Sequence, residues 1–256
     1  MRARLKPLVQ QFGADFVMAN AENAAGGLGI TRETAEELLA AGVHVLTSGN
    51  HIWRQREAVK LVEEEPRVLR PANFPSACPG RGAGVFVAPG GGKVGVLNVT
   101  GRTFMEPLDC PFRATDEEIP ALQERTKVVV VDIHAEATSE KIALGWYLDG
   151  RVSAVLGTHT HVQTADERIL PNGTAYITDV GMTGPRDSVL GVSRNAVIAR
   201  FRTGMPHRFE VAPGPVLVNA VVVDIDEQTG SARTIERIAR EFAPESHATT
   251  STSRTQ

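Results

Sequence analysis

Apolar positions recur along this chain with two periods, and the alternation between them predicts an α/β protein. Leu5, Leu8 and Val9 fall on one stripe of a helix over Arg2 to Phe12. Asp15 to Ala19 (DFVMA) reads as a short buried strand, followed by the glycine-rich loop Asn20 to Ile30. Thr31 caps a helix from Arg32 to Ala41 that Gly42 ends, and Val43 to Thr47 is the next strand. A helix over Arg54 to Glu64 precedes a hairpin, Val85 to Val87 and Val94 to Val99, around the turn Pro89 to Lys93. Thr115 to Arg125 reads as a helix despite Pro120. Lys127 to Ile133 is a continuous apolar run of the kind buried on both faces, and it ends at His134. A helix over Thr138 to Leu148, a strand over Val152 to Leu156 and a strand over Thr174 to Thr178 follow. Ser193 to Thr203 reads as a helix. Arg208 to Val211, Val216 to Asp226 and Ser231 to Arg240 then read as strands with no helices between them, which favours a second, antiparallel or mixed sheet packed on the first.

Composition narrows the class. With 256 residues, 42 % hydrophobic and 22 % charged, the chain can fill one core, so a single domain over residues 1–243 is expected, with a disordered tail from residue 244. The formal net charge of -3 leaves no electrostatic footprint for duplex nucleic acid or an anionic membrane. No apolar stretch approaches the roughly 18 residues that span a bilayer, and MRARLKPLVQQF has no signal core, so a cytoplasmic protein is expected. Cys78 and Cys110 lie outside any CxxC pattern and indicate neither a disulfide framework nor a thiolate metal site.

Chemistry collects at the predicted strand ends. In Gly157 to Val162 (GTHTHV), His159 and His161 are spaced i and i+2, which on a strand or its fraying end places both on one face, roughly 6.6 Å apart along the chain. A pair of locally hydrogen-bonded loop histidines is the alternative. Asn50 and His51 follow the strand ending at Thr47, His134 closes the Lys127 to Ile133 run, and Glu22 and Asn23 lie in the glycine-rich loop. Ligands of α/β sheets gather beyond the carboxyl ends of strands. A thiolate-free set of imidazole, carboxylate and side-chain amide suits manganese, iron or zinc in a catalytic site. Two such ions about 3.5 to 4 Å apart serve phosphoester hydrolysis, with His51 placed to protonate the leaving oxygen. His51 also reads as a donor orienting another ligand, Asn50 as a turn residue and Glu22 as a solvated loop carboxylate. Arg102 reads as a surface ion-pair partner or a phosphate contact, Asp179 as a tether for the neighbouring loop, and His44 as a packing histidine. Glu136, Glu140 and Lys141 support the site or begin a helix. None of these six is assigned to catalysis, and neither is His207.

The segments NAENAAGGLGIT, GNHIW, RPANFP, GRTFMEPLDCPFR, HAEATSEK and GWYLDGRVSAVLGTHTHVQTADERILPNGTAYITDVGMTGP resemble the bacterial YmdB family of calcineurin-like metallophosphoesterases, from about residue 2 to residue 240. The resemblance implies a four-layer αββα sandwich with a dinuclear metal centre, and a phosphodiesterase acting on 2',3'-cyclic or 3',5'-cyclic nucleotides. It further implies Glu22 as the bridging ligand, Asn50, His134 and His159 on one metal, His161 on the other, Asn23 assisting and His51 as catalytic acid. The family opens with a strand ending in GDxxG, whose Asp is a metal ligand and which precedes the helix that begins this sequence. The expectation is therefore a fold without that first strand and a weak second metal, arising from a late start or from a truncated, weakly active product. The competing reading is a regulatory protein that senses a nucleotide in a partly emptied site. A metal-dependent amidohydrolase also uses HxH, but near its first strand. The partner expected is a small phosphodiester or cyclic nucleotide; self-association into a homo-oligomer is left open.

Overall fold

A computed structural model describes residues 2–243, so the tail expected from residue 244, with His247, lies outside the described residues. In chain order the elements are α1 (Arg2–Phe12), β1 (Met18–Asn20), α2 (Arg32–Ala41), β2 (Val45–Thr47), α3 (Ala58–Glu64), β3 (Ala83–Val87), β4 (Lys93–Thr100), α4 (Pro111–Gln123), β5 (Val129–His134), α5 (Thr138–Tyr147), β6 (Ala154–Thr158), β7 (Arg168–Ile169), β8 (Ala175–Ile177), β9 (Gly184–Pro185), α6 (Arg194–Thr203), β10 (Val216–Ile225) and β11 (Ala232–Phe242). Among the described residues they fall into two compact units, residues 2–182 with 219–238, and residues 183–218 with 239–243.

The larger unit carries a six-stranded sheet in the order β3-β4-β5-β6-β8-β7. Its central strands β4, β5, β6 and β8 are parallel, and β3 and β7 are antiparallel edges. Strand alternation divides its two faces. Val129, Val131 and Ile133 of β5, with Leu97, Val155 and Tyr176, pack against Ile119 and Leu122 of α4 and Leu144 of α5. Val130, Ala154, Leu156, Ala175 and Ile177 look the other way and meet Val221 and Val223 of β10 and Ile235 of β11. By the same parity Asp132 and His134 share the face of Val130. A separate parallel pair, β1 and β2, joins Met18 to Val45 and Asn20 to Thr47. Its Leu46 lies in a cluster with Ala35 of α2 and Leu61 and Val62 of α3. Thr31 and Gly42 end α2 as the sequence predicts: the Thr31 hydroxyl accepts from the Thr34 amide, and Gly42 takes the left-handed conformation at φ 110°.

In the smaller unit, β9 pairs antiparallel with the first residues of β10. Helix α6 ends at Gly204, again left-handed at φ 68°.

Several boundaries differ from expectation. Strand β1 starts at Met18 rather than Asp15, and β2 at Val45 rather than Val43. Helix α3 starts at Ala58, because residues 49–58 are spent on turns in which Ile52 N–H donates to Gly49, Arg54 to His51 and Ala58 to Gln55. Helix α4 starts four residues early, because Pro111 at its first turn needs no amide partner there. Arg208 to Val211 forms no strand beyond one isolated bridge, Val192 to Val211. All four residues are exposed, and a strand with no face to bury gains nothing from pairing.

Candidate metal centre

The site is assembled on the last residue of β5. Register places Thr158 of β6 opposite His134, and the His134 Nδ1 lies 2.9 Å from the Thr158 hydroxyl. That hydroxyl has one proton and donates it to Asp132 Oδ1 at 2.8 Å, so its oxygen accepts from His134 Nδ1–H. The tautomer that results leaves the lone pair of Nε2 pointing outward, as a ligand nitrogen requires. Asp132 is held from the other side by the Thr47 hydroxyl at 2.5 Å and the Asn20 amide at 3.1 Å. Burial pushes the Asp132 carboxyl up, and the charge of His134 with the bonds from Thr47, Asn20 and Thr158 opposes it.

Three further groups converge on His134 Nε2: Glu22 Oε2 at 3.1 Å, Asn50 Oδ1 at 3.1 Å and His159 Nδ1 at 3.0 Å. The donor atoms of Glu22, His134 and His159 lie within 4.8 Å of one another. With Nε2 unprotonated, a carboxylate oxygen and an amide oxygen face a nitrogen lone pair, an arrangement that repels itself unless a cation lies among them. The donor set thus fits a divalent metal by its own chemistry. Glu22 is only 2 % exposed. Burial pushes its carboxyl up, but the neighbouring imidazoles of His134 and His51 outweigh this and hold it at about 2. The His51 amide donates to Glu22 Oε2 at 3.2 Å and the Asn23 side-chain amide to Oε1 at 3.2 Å, so both oxygens are oriented.

The sequence reading placed His159 and His161 on one face of a strand or its fraying end; the structure keeps them at the strand's end but not on one face. Strand β6 ends at Thr158, and both histidines sit beyond it in the left-handed region, at φ 102° and 68°. Such backbone costs about 1–3 kcal/mol per residue and persists only where the surroundings enforce it. Here they do. Between the two rings, Thr160 N–H and hydroxyl both donate to Asp179 Oδ2, at 3.0 and 2.7 Å. The same oxygen takes the buried Lys141 ammonium at 2.8 Å. The left-handed turn sends the rings to different neighbours: His159 Nε2 lies 3.0 Å from Glu136, and His161 Nε2 lies 3.3 Å from the Asn23 amide. His161 Nδ1 is buried with no hydrogen-bond partner among the described residues.

His51 stands at the margin, its side chain 26 % exposed, with Nδ1 2.8 Å from Asn23 Oδ1 and 3.6 Å from Glu22 Oε1. Asn23 therefore links His51, Glu22 and His161. All seven residues singled out from the sequence, Glu22, Asn23, Asn50, His51, His134, His159 and His161, are joined by these contacts. The sequence reading passed over Asn20, Thr47, Thr158 and Asp132, which fix the His134 ring. Asp132 had a visible signal, a lone carboxylate inside an apolar strand at the same parity as the histidine two residues on.

Gly49 has no room for a side chain. A methyl group there would stand 2.1 Å from the His134 ring and 2.4 Å from Glu22 Oε2. Gly49→Ala is expected to weaken manganese binding by roughly 10- to 100-fold, as losses around a metal site do, measured by calorimetric titration. Unchanged affinity would mean that these two side chains are not metal ligands.

A mixed α/β fold with cation donors grouped at the carboxyl ends of parallel strands is the class defined so far. Residues 1–238 match the family described as YmdB-like protein, and the chain belongs to that family. It is 52 % identical over 231 residues to a 2',3'-cyclic-nucleotide 2'-phosphodiesterase of Bacillus subtilis (strain 168), covering 90 % of this chain and 87 % of the relative. Among solved structures, a hypothetical protein from Thermus thermophilus superposes with a TM-score of 0.86 at 43 % identity, covering 95 % of this chain and 93 % of the other. A protein of Mycoplasma pneumoniae described as a novel phosphatase superposes with a TM-score of 0.86 at 36 % identity, covering 94 % and 87 %. None of the described helices is long and apolar enough to cross a membrane.

Proposed function

We propose that this protein is a metal-dependent phosphodiesterase of the metallophosphoesterase class, hydrolysing 2',3'-cyclic or 3',5'-cyclic nucleotides. The observation that carries the reading is the convergence of Glu22, Asn50 and His159 on the unprotonated Nε2 of His134. The similarity to a cyclic-nucleotide phosphodiesterase supports the substrate class. The packing of both faces of the six-stranded sheet, by α4 and α5 on one side and β10 and β11 on the other, supports the four-layer reading.

Asn50, His134 and His159 would hold one ion, Glu22 would bridge, and His161 would belong to the second. Among the described residues only Glu22, His134 and His159 form a close His/Cys/Asp/Glu donor group, so the first position is expected to fill tightly and the His161 position weakly. When bound, such ions neutralise charge on a phosphate ester and lower the pKa of an attacking water. The protein's own groups do the rest. Asn23 Oδ1 accepts from His51 Nδ1–H, which turns Nε2 outward to hand its proton to the oxygen that leaves phosphorus. Lys141 and Asp179 keep the turn carrying His159 and His161 in its strained form.

The test is hydrolysis of bis(4-nitrophenyl) phosphate and of 2',3'-cyclic AMP after chelator treatment, with and without added manganese. Turnover that disappears with the chelator and returns with the metal is expected. Metal-dependent binding of the nucleotide without any hydrolysis would instead establish a nucleotide-sensing protein.

A further inference from the structure

Phe104 satisfies neither of the usual reasons for placing a large aromatic residue. It is 89 % exposed, so it contributes nothing to the core, and its φ of 62° lies in the left-handed region, a genuine outlier for a bulky residue. A strained position persists because the surroundings hold it, and such positions cluster at ligand-binding sites. Its loop, residues 101–105, leaves the carboxyl end of β4 beside His134 and is bound to the metal centre at several points. Gly101 N–H donates to the His134 carbonyl at 2.9 Å. Arg102 and Thr103 N–H donate to the Glu140 carboxylate, both at 3.2 Å in their shorter contacts. The sulfur of Met105, next to Phe104, accepts from Glu136 N–H at 3.3 Å, and the Glu136 carboxylate touches His159. The phenyl ring is thus carried on a backbone fixed against two of the proposed ligands. On the same loop the Arg102 guanidinium has no partner among the described residues. It is not the surface ion-pair partner suggested by the sequence. An exposed aromatic face and a free guanidinium two residues apart match the two chemistries of a nucleotide, a base with a π-face and an anionic phosphate.

We infer that the loop at residues 101–105 recognises the nucleoside part of the substrate, with Phe104 as the surface on which the base stacks and Arg102 as an accessory cation for the phosphate. This rests on the phosphodiesterase reading above and adds its specificity-determining residue. Stacking on one aromatic side chain contributes enough to change affinity by roughly tenfold or more. Its removal should affect only ligands that carry a base.

The experiment compares the parent protein with Phe104→Ala and Phe104→Tyr on two cyclic esters, 2',3'-cyclic AMP and the base-free glycerol 1,2-cyclic phosphate, with manganese present. Calorimetric binding of adenosine monophosphate and of inorganic phosphate accompanies the kinetics. For Phe104→Ala, KM for the nucleotide and Kd for adenosine monophosphate should rise about tenfold, with kcat, the base-free ester and phosphate binding unchanged; Phe104→Tyr should restore parental values. Equal nucleotide affinity in Phe104→Ala and the parent overturns the stacking role, and so does an equal loss on the base-free ester. If the parent hydrolyses neither ester, the enzymatic reading fails; the adenosine monophosphate titration still decides whether Phe104 binds a base.

Discussion

His134→Ala is expected to lower kcat/KM for a cyclic nucleotide by about a thousandfold or more, the equivalent of about 4 kcal/mol of transition-state stabilisation. The His134 ring has its Nε2 within 3.1 Å of Glu22 and Asn50 and 3.0 Å of His159, while its Nδ1 is anchored through Thr158 to Asp132. Removing it deletes one ligand and leaves the buried Glu22 carboxylate without the partner that holds its pKa low. Leaving a buried polar group without its neighbour costs about 1–3 kcal/mol, more when the group is charged, so a lower thermal midpoint should accompany the lost activity. Metal content, measured by mass spectrometry on protein that circular dichroism shows to be folded, separates the two effects. Folded His134→Ala protein that still holds its full metal complement would remove His134 from the ligand set.

The second large effect belongs to His51 and has a different signature. His51→Ala should lower kcat by about 10² to 10⁴-fold, the usual contribution of a positioned general acid, with metal content unchanged. The distinction follows from geometry: Nδ1 is occupied by Asn23 Oδ1 at 2.8 Å, and the side chain reaches solvent while His134 does not. Burial lowers the His51 pKa below the ordinary histidine value, and Glu22 nearby pulls it back up without cancelling the shift. Only the protonated ring donates a proton, so turnover should fall as pH rises through that value. His51→Gln should remove that alkaline limb while leaving metal binding intact. A pH profile identical in the two proteins would assign the limb to some other group.

Much of this site was legible because its residues lie where period-two patterning places strand ends. The run Lys127 to Ile133 with His134 at its end reads directly as a buried strand delivering a side chain to the ligand side of a sheet, and the structure forms it over Val129–His134. Glu22, Asn50 and His51 were found as loop residues at equivalent positions. The backbone of the HxH turn was not legible. Its left-handed form depends on Asp179 and Lys141, which the sequence separates from Thr160 and which tertiary packing brings together. The support beneath His134 was missed for a similar reason: Asn20, Thr47 and Thr158 are ordinary polar residues until β1, β2 and β6 bring them onto one carboxylate. Element boundaries failed where local chemistry overrode periodicity, at Pro111 and in the turns after Gly49. The Arg208 to Val211 strand failed because alternation alone does not supply a surface to pack against.

The central claim is that these side chains hold divalent metal beside His51. Anomalous diffraction from crystals soaked in manganese, recorded near the metal's absorption edge, tests it most directly. The account predicts a strong peak among Glu22 Oε2, His134 Nε2, Asn50 Oδ1 and His159, at about 2.0 to 2.2 Å from its ligands, and a weaker one beside His161. Manganese bound elsewhere on the protein, with no peak at His134, would contradict it.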